Sequence, residues 1–217
     1  MDDTVRNMII ASMVLVLASM YGGDTLGSWF HWERDIDYND GDSSESITEF
    51  YLEGYEMEYE FDAGTTSSME DEKDDFGPDY DDNDCGGTSD CDEMYDLMGS
   101  KIKNLLYIIL LAGAVALYFL NEGDREKASM ASLVMGGAGI LAVLLFATSF
   151  PEAMDDDLDA FDAADGFDED PSLFGDDSQN VEDYNWDVDR SWRPGFAFAL
   201  IALSGIVGLG AYFELKN

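Results

Sequence analysis

The chain has 217 residues, with 48 acidic and 10 basic side chains, a formal net charge of −38, and 46% hydrophobic residues. Charge of that size in a single water-soluble domain goes with a shortage of apolar residues, so an evenly mixed soluble domain is excluded, and the sign disfavours nucleic acid as a partner. Position reconciles the two figures: residues 8–21, 104–120, 128–150 and 194–213 hold 74 residues without one Asp, Glu, Lys or Arg, and all 58 charges fall in the other 143.

Each uncharged stretch is 14 to 23 residues long, and a hydrocarbon core takes about 20 helical residues. They predict four transmembrane helices. The first spans 5–22. Its leader carries Asp2 and Asp3 against Arg6 and its run ends in Met20-Tyr21, unlike the basic leader and small-residue cleavage site of a signal peptide, so a retained span is expected, with Arg6 reaching to the interface.

The first long loop, 23–103, opens with a strand expected at about 28–38, where Phe30, Trp32, Ile36 and Tyr38 alternate with His31, Glu33, Asp35 and Asp37. Turn residues follow at 39–42. Further strands are expected at about 46–53, with Thr48, Phe50 and Leu52 on one face, and at 55–62, where Tyr55, Met57, Tyr59 and Phe61 alternate with Glu56, Glu58, Glu60 and Asp62. An aromatic face opposite a carboxylate face suits an antiparallel sheet packed on one side and wet on the other. The aromatic side reads as core or as a partner-binding surface.

Residues 62–96 show no sustained period and read as loosely held acidic chain. Within them Asp79, Asp81 and Asn83 have the one-three-five spacing of a calcium loop, but Asp84 stands where glycine belongs and position twelve is Asp90. They form a weak calcium candidate, beside diffuse binding of divalent cations and retention of counter-ions in a salty medium. Cys85 and Cys91, the only cysteines, are expected to form a local disulfide on an oxidising face.

The second span, 104–120, and the third, 128–150, are joined by the short turn 121–127, which makes a transmembrane hairpin. The second long loop, 151–193, reads as acidic and unpatterned over 152–182. It ends in a strand at about 183–189, where Tyr184, Trp186 and Val188 alternate with Asn185, Asp187 and Asp189. The last span, 194–213, is expected to open with Pro194, whose missing amide hydrogen is no loss at a helix start. Only 214–217 follow it here.

Ala112 with Ala116, Ser132 with Gly136, and Ser204 with Gly208 recur at helix-packing spacing. Two uses are open: packing inside the bundle, or a lateral partner or second copy received on the Gly205-to-Gly210 face. The side holding 1–7, 121–127 and 214–217 has 4 bases in 18 residues, against 6 in 125 on the long-loop side, which holds 42 of the acids. This density places the short side in the cytoplasm and the acidic loops outside a cell membrane. At membrane depth the spans hold no Asp, Glu, Lys, Arg or His, the chain has one histidine, His31, and no catalytic or phosphate-binding motif is recognisable. A non-enzymatic protein without cofactor is expected.

The order of these segments resembles the claudin and peripheral-myelin-protein superfamily: span, long outer loop with strands, two spans on a short inner turn, smaller outer loop ending in a strand, last span. Trp29 and Trp32 lie near the start of the first loop, where that family carries a tryptophan. The family's Gly-Leu-Trp has no counterpart, and Cys85 and Cys91 are later and closer together than its pair. The resemblance implies a four-helix membrane bundle with a small extracellular antiparallel sheet, and work in cell contact, sealing, or companionship to channels. The expected function is adhesion, envelope organisation or scaffolding through outer-face contacts. Alternatives are an accessory subunit of a larger membrane complex and a cation-responsive surface sensor. Trp29, Trp32, Trp186, Gly205 and Gly208 are the candidate interaction residues; the expected partners are the bilayer and other membrane or surface proteins, a second copy included.

Overall fold

The computed structural model describes residues 2–22, 26–38, 41–52, 54–62, 67–75, 92–158, 172–181 and 186–217. The chain divides into two compact units. The first, Met1–Ser28, Ser100–Ala147 and Phe196–Asn217, is helical. It holds α1 (Asp2–Tyr21), α2 (Lys103–Asn121), most of α3 (Arg125–Leu158) and α4 (Phe196–Lys216). All four are long and apolar enough to cross a membrane.

Burial in this unit departs from that of a water-soluble bundle, with small residues sharing the interior and many large apolar ones outside. Ala112, Gly113 and Ala116 of α2 and Ser204, Gly205, Gly208 and Ala211 of α4 are inside, while Leu111, Val134, Leu144 and Ile206 are more than half exposed. Where the surroundings are as apolar as leucine, helices associate by close backbone approach and interhelical hydrogen bonds, so small residues belong inside. This is a helical membrane-type fold. Between α3 and α4 the backbones approach closely: a Cβ added at Gly139 would stand 2.8 Å from Gly205 Cα, and one at Gly208 would stand 2.9 Å from Gly136 Cα.

A serine clasp ties α1 to α4. Ser12 Oγ donates to the Ser204 carbonyl at 3.1 Å, Ser204 Oγ donates to the Ser12 carbonyl at 3.1 Å, and the two hydroxyls lie 2.8 Å apart. Both side chains are buried. Ser12→Ala is expected to lower bundle stability by about 1 kcal/mol, the scale of interhelical hydrogen bonds in lipid. Reversible unfolding in mixed micelles measures it. Ser19→Ala is the control, because Ser19 Oγ returns only to the Val16 carbonyl of its own helix, at 2.7 Å, and its midpoint is expected to stay put.

The α2–α3 turn follows from its residues. Gly123 takes φ +80°, the left-handed conformation glycine tolerates after a helix end, and its amide donates to the Leu120 carbonyl at 3.2 Å. Asp124 then caps α3 by accepting the Lys127 amide at 3.1 Å.

The second unit, Trp29–Gly99 and Thr148–Gly195, contains a six-stranded antiparallel sheet in the order β4-β3-β2-β1-β6-β5. The strands are β1 (Phe30–Asp37), β2 (Ser43–Phe50), β3 (Gly54–Asp62), β4 (Ser67–Asp75), β5 (Gly175–Val181) and β6 (Trp186–Pro194). β1 pairs with β2 on one side and β6 on the other, so both long loops build one sheet. Gly41, at φ +90°, turns the chain between β1 and β2.

Four features differ from the sequence expectation. β4 and β5 lie in segments that carry no period, because each is an edge strand of mostly polar residues that forms on the backbone of its neighbour. Pro194 does not open the last helix. It ends β6 opposite Phe30, a strand-end position that needs no amide hydrogen, and α4 starts at Phe196. α3 runs past Phe150 and through Pro151 to Leu158, with Ala153 and Met154 buried. Ahead of α2, a short helix Asp92–Tyr95 and a π-helical turn Asp96–Ile102 bury Met94, Leu97 and Met98. Tyr184 lies outside the described residues.

Candidate functional site

The sheet has two chemically opposite faces, and the period of two in its strands assigns each residue to one of them. On the covered face, β1 contributes Phe30, Trp32, Arg34 and Ile36; β2 contributes Ser44, Ser46, Thr48 and Phe50; β6 contributes Val188, Arg190 and Trp192. Phe150 of α3 packs there, with ring centroids 4.8 Å from Phe30 and 5.7 Å from Phe50. Tyr38 stands edge-on to Trp186 at 5.0 Å. Trp192 Nε1 donates to the Ser172 carbonyl at 2.7 Å, fastening the segment that leads into β5.

Two arginines share this face. Arg34 and Arg190 are directly opposite each other across β1 and β6, Arg190 is 2% exposed, and Arg34 lies 5.9 Å over the Trp32 ring. Composition alone hides this pair, but the alternation that places Trp186, Val188 and Trp192 inside also places Arg190 with them.

The other face is carpeted with carboxylates in register. Glu60 faces Glu45, Glu45 faces Asp35, and Asp35 faces Asp189, so one line crosses four strands with an acid at each. Asp37 faces Asp187, and Glu49 faces Glu56. Like charges directly opposite destabilise a sheet. Part of the repulsion is relieved locally: Asn180 Nδ2 donates to Asp187 Oδ1 at 2.7 Å, Ser178 Oγ donates to Asp189, and Tyr51 OH donates to Glu49 Oε2 at 2.8 Å. His31 sits between two of the acids, with Nδ1 3.6 Å from Glu49 Oε1 and Nε2 3.8 Å from Glu33 Oε2. Partial burial, followed by the charges of Glu33, Asp189 and Asp37, raises the Asp35 carboxyl above the ordinary aspartate value.

The candidate interaction residues separate on these faces. Trp29 is fully buried and Trp32 is 8% exposed, so both belong to the core; Trp186 keeps partial exposure. Gly205 and Gly208 face Gly136 and Gly139 of the same chain and offer no surface to a partner. The weak calcium candidate Asp79, Asp81, Asn83 and Asp90, and the expected Cys85–Cys91 disulfide, lie outside the described residues. Among the described residues, no three His, Cys, Asp or Glu side chains converge as metal ligands.

No protein-family model matches the chain, and no curated protein matches it.

Proposed function

We propose that the chain is a non-enzymatic, claudin-like four-span protein of the cell membrane that works through contacts of an extracellular acidic sheet, in adhesion, envelope organisation or scaffolding. The supporting observation is the division of labour in the sheet. Its aromatic face is consumed by packing, at Phe30, Phe50 and Phe150, and its other face and edges present polar groups. The density of bases on the short segments supports placing the termini and the 121–127 turn in the cytoplasm. With Gly205 and Gly208 turned inward, an accessory-subunit role loses the face that favoured it.

Reconstitution into neutral vesicles tests this reading. Vesicles carrying the protein with its sheet outward are expected to cluster at molar salt, and protein-free vesicles to stay dispersed. Protein-bearing vesicles that stay dispersed while the sheet is folded defeat the adhesive form.

The carboxylate lines favour a second reading, a cation-responsive surface. Calcium would then alter amide protection in β1, β2 and β6 beyond what sodium chloride of equal ionic strength does. Equal effects of the two salts leave only salt adaptation.

A further inference from the structure

We infer that the outer edge of β5 is a self-association surface, at which a second copy of this chain adds its own β5 antiparallel to make one continuous sheet. The inference rests on the contact-making role proposed above and names the partner. Among the described residues, β4 and β5 are the two edges of the sheet. An unblocked edge is a template for another strand, and proteins guard such edges with lysine, proline, bulges or inward charges. β5, Gly175-Asp-Asp-Ser-Gln-Asn-Val181, contains neither lysine nor proline.

Register decides between the edges. Two copies of β5 in full antiparallel overlap have Ser178 on the twofold axis, which sets Asp176 opposite Asn180 and Asp177 opposite Gln179. The Asp176 carboxylate then faces the Asn180 carboxamide, and no position of the register sets an acidic residue opposite another. A carboxamide carries two N–H donors, and Asn180 directs one of them to Asp187 in its own sheet, so a second remains for Asp176 of the other copy. Shifting the pairing by one residue toward Gly175, which keeps the two faces continuous, brings Asp177 opposite itself. At β4 the same full overlap opposes Asp71 to Asp71 and Glu70 to Glu72. In a chain of net charge −38, self-pairing needs an edge where carboxylates avoid one another, and β5 supplies it.

The test is cross-linking in membranes at molar salt, in a chain with Cys85 and Cys91 changed to serine and copper-phenanthroline as oxidant. Directly opposed residues have Cα atoms about 4.5–5.5 Å apart, within the range of a disulfide. Ser178→Cys is therefore expected to give a covalent dimer. Asp176→Cys alone places its two thiols four residues apart along the strands, about 13 Å, and is expected to stay monomeric. Mixing it with Asn180→Cys restores the dimer. Added to Ser178→Cys, Asn180→Lys should raise the cross-linked fraction and Asn180→Asp should lower it. Failure of Ser178→Cys to cross-link, or equal cross-linking by Asp176→Cys alone, overturns the inference. Vesicle clustering without a Ser178 cross-link overturns it too while sparing the contact-making role; the register-specific cross-link without clustering upholds it and removes adhesion between membranes.

Discussion

Replacing Gly139 with leucine is expected to destroy the helical unit, whereas the same replacement two residues away, at Gly137, should leave it intact. The two glycines share a helix, so any gain in helix propensity, about 1 kcal/mol over glycine, is common to both. What differs is the space. A Cβ at Gly139 meets the Gly205 backbone at 2.8 Å, while one at Gly137 meets nothing within 4 Å. Overpacking a tight contact costs about 1–3 kcal/mol, with more where the obstacle is backbone that cannot turn aside. Here the obstacle is the partner helix axis itself, so α3 and α4 must separate. The same argument gives Gly208→Leu a comparable effect, since its Cβ would stand 2.9 Å from Gly136 Cα. Size-exclusion chromatography in detergent should show Gly137→Leu as a single peak and Gly139→Leu as aggregate or as little recovered protein. Equal behaviour of the two would mean that α3 and α4 do not touch at these glycines.

The sheet is expected to depend steeply on salt. Neighbouring strands lie about 4.8 Å apart, and the screening length falls from about 10 Å at 0.1 M salt to about 3 Å at 1 M. Only near molar salt, then, does screening act within the line Glu60, Glu45, Asp35, Asp189. Cross-strand pairs of this kind act on the scale of about 0.2–1 kcal/mol each, and five such acid pairs lie in register between β1, β2, β3 and β6. Hydrogen exchange should show the amides of β1 and β2 losing protection as salt falls to about 0.1 M, with those of α2 unchanged. Glu45→Gln, which removes the acid between two others, should recover part of the loss.

Acid should act in the same direction as salt. The Asp35 carboxyl titrates above its ordinary value of 3.8 in the folded sheet, from burial first and then from Glu33, Asp189 and Asp37. The folded state therefore holds this proton more tightly than the unfolded chain does. The stability it contributes is full below 3.8 and is lost as pH rises through the raised folded value. Lowering the pH from 7 into that range should protect β1, and Asp35→Asn should raise stability at neutral pH and flatten this response. A sheet indifferent to both salt and acid would show that the carboxylates are not held opposite one another.

The legible parts of the fold are those with an apolar signal. Four runs without charge announce the helices, and the alternation of Phe30, Trp32 and Ile36 or of Trp186 and Val188 announces the central strands. β4 and β5 were hidden because an edge strand of Asp, Ser, Glu, Gln and Asn has no apolar row to alternate with, so its strand character lies in its neighbour's unpaired backbone. Pro194 misleads for a related reason: a strand end and a helix start both tolerate its missing amide hydrogen, and only the pairing with Phe30 separates them. The small residues at 136, 205 and 208 marked close helix contact without naming the partner. Distances to Gly136 and Gly139 name it as the chain itself. The acid line across β3, β2, β1 and β6 could not be read from any one segment, since it depends on register between strands separated by more than a hundred residues of sequence.

The proposal above stands or falls with its partition: four membrane-crossing helices, with the two long loops on the side of the membrane away from the turn at residues 121–127. Single cysteines at Asp187 in β6 and at Glu126 beside that turn, each in a chain with Cys85 and Cys91 changed to serine, can be labelled on intact cells with a membrane-impermeant maleimide at molar salt. The partition predicts that the thiol at 187 reacts at once and the thiol at 126 reacts only after the membrane is permeabilised. Reaction of both on intact cells, or recovery of the protein in the supernatant after ultracentrifugation, would contradict it.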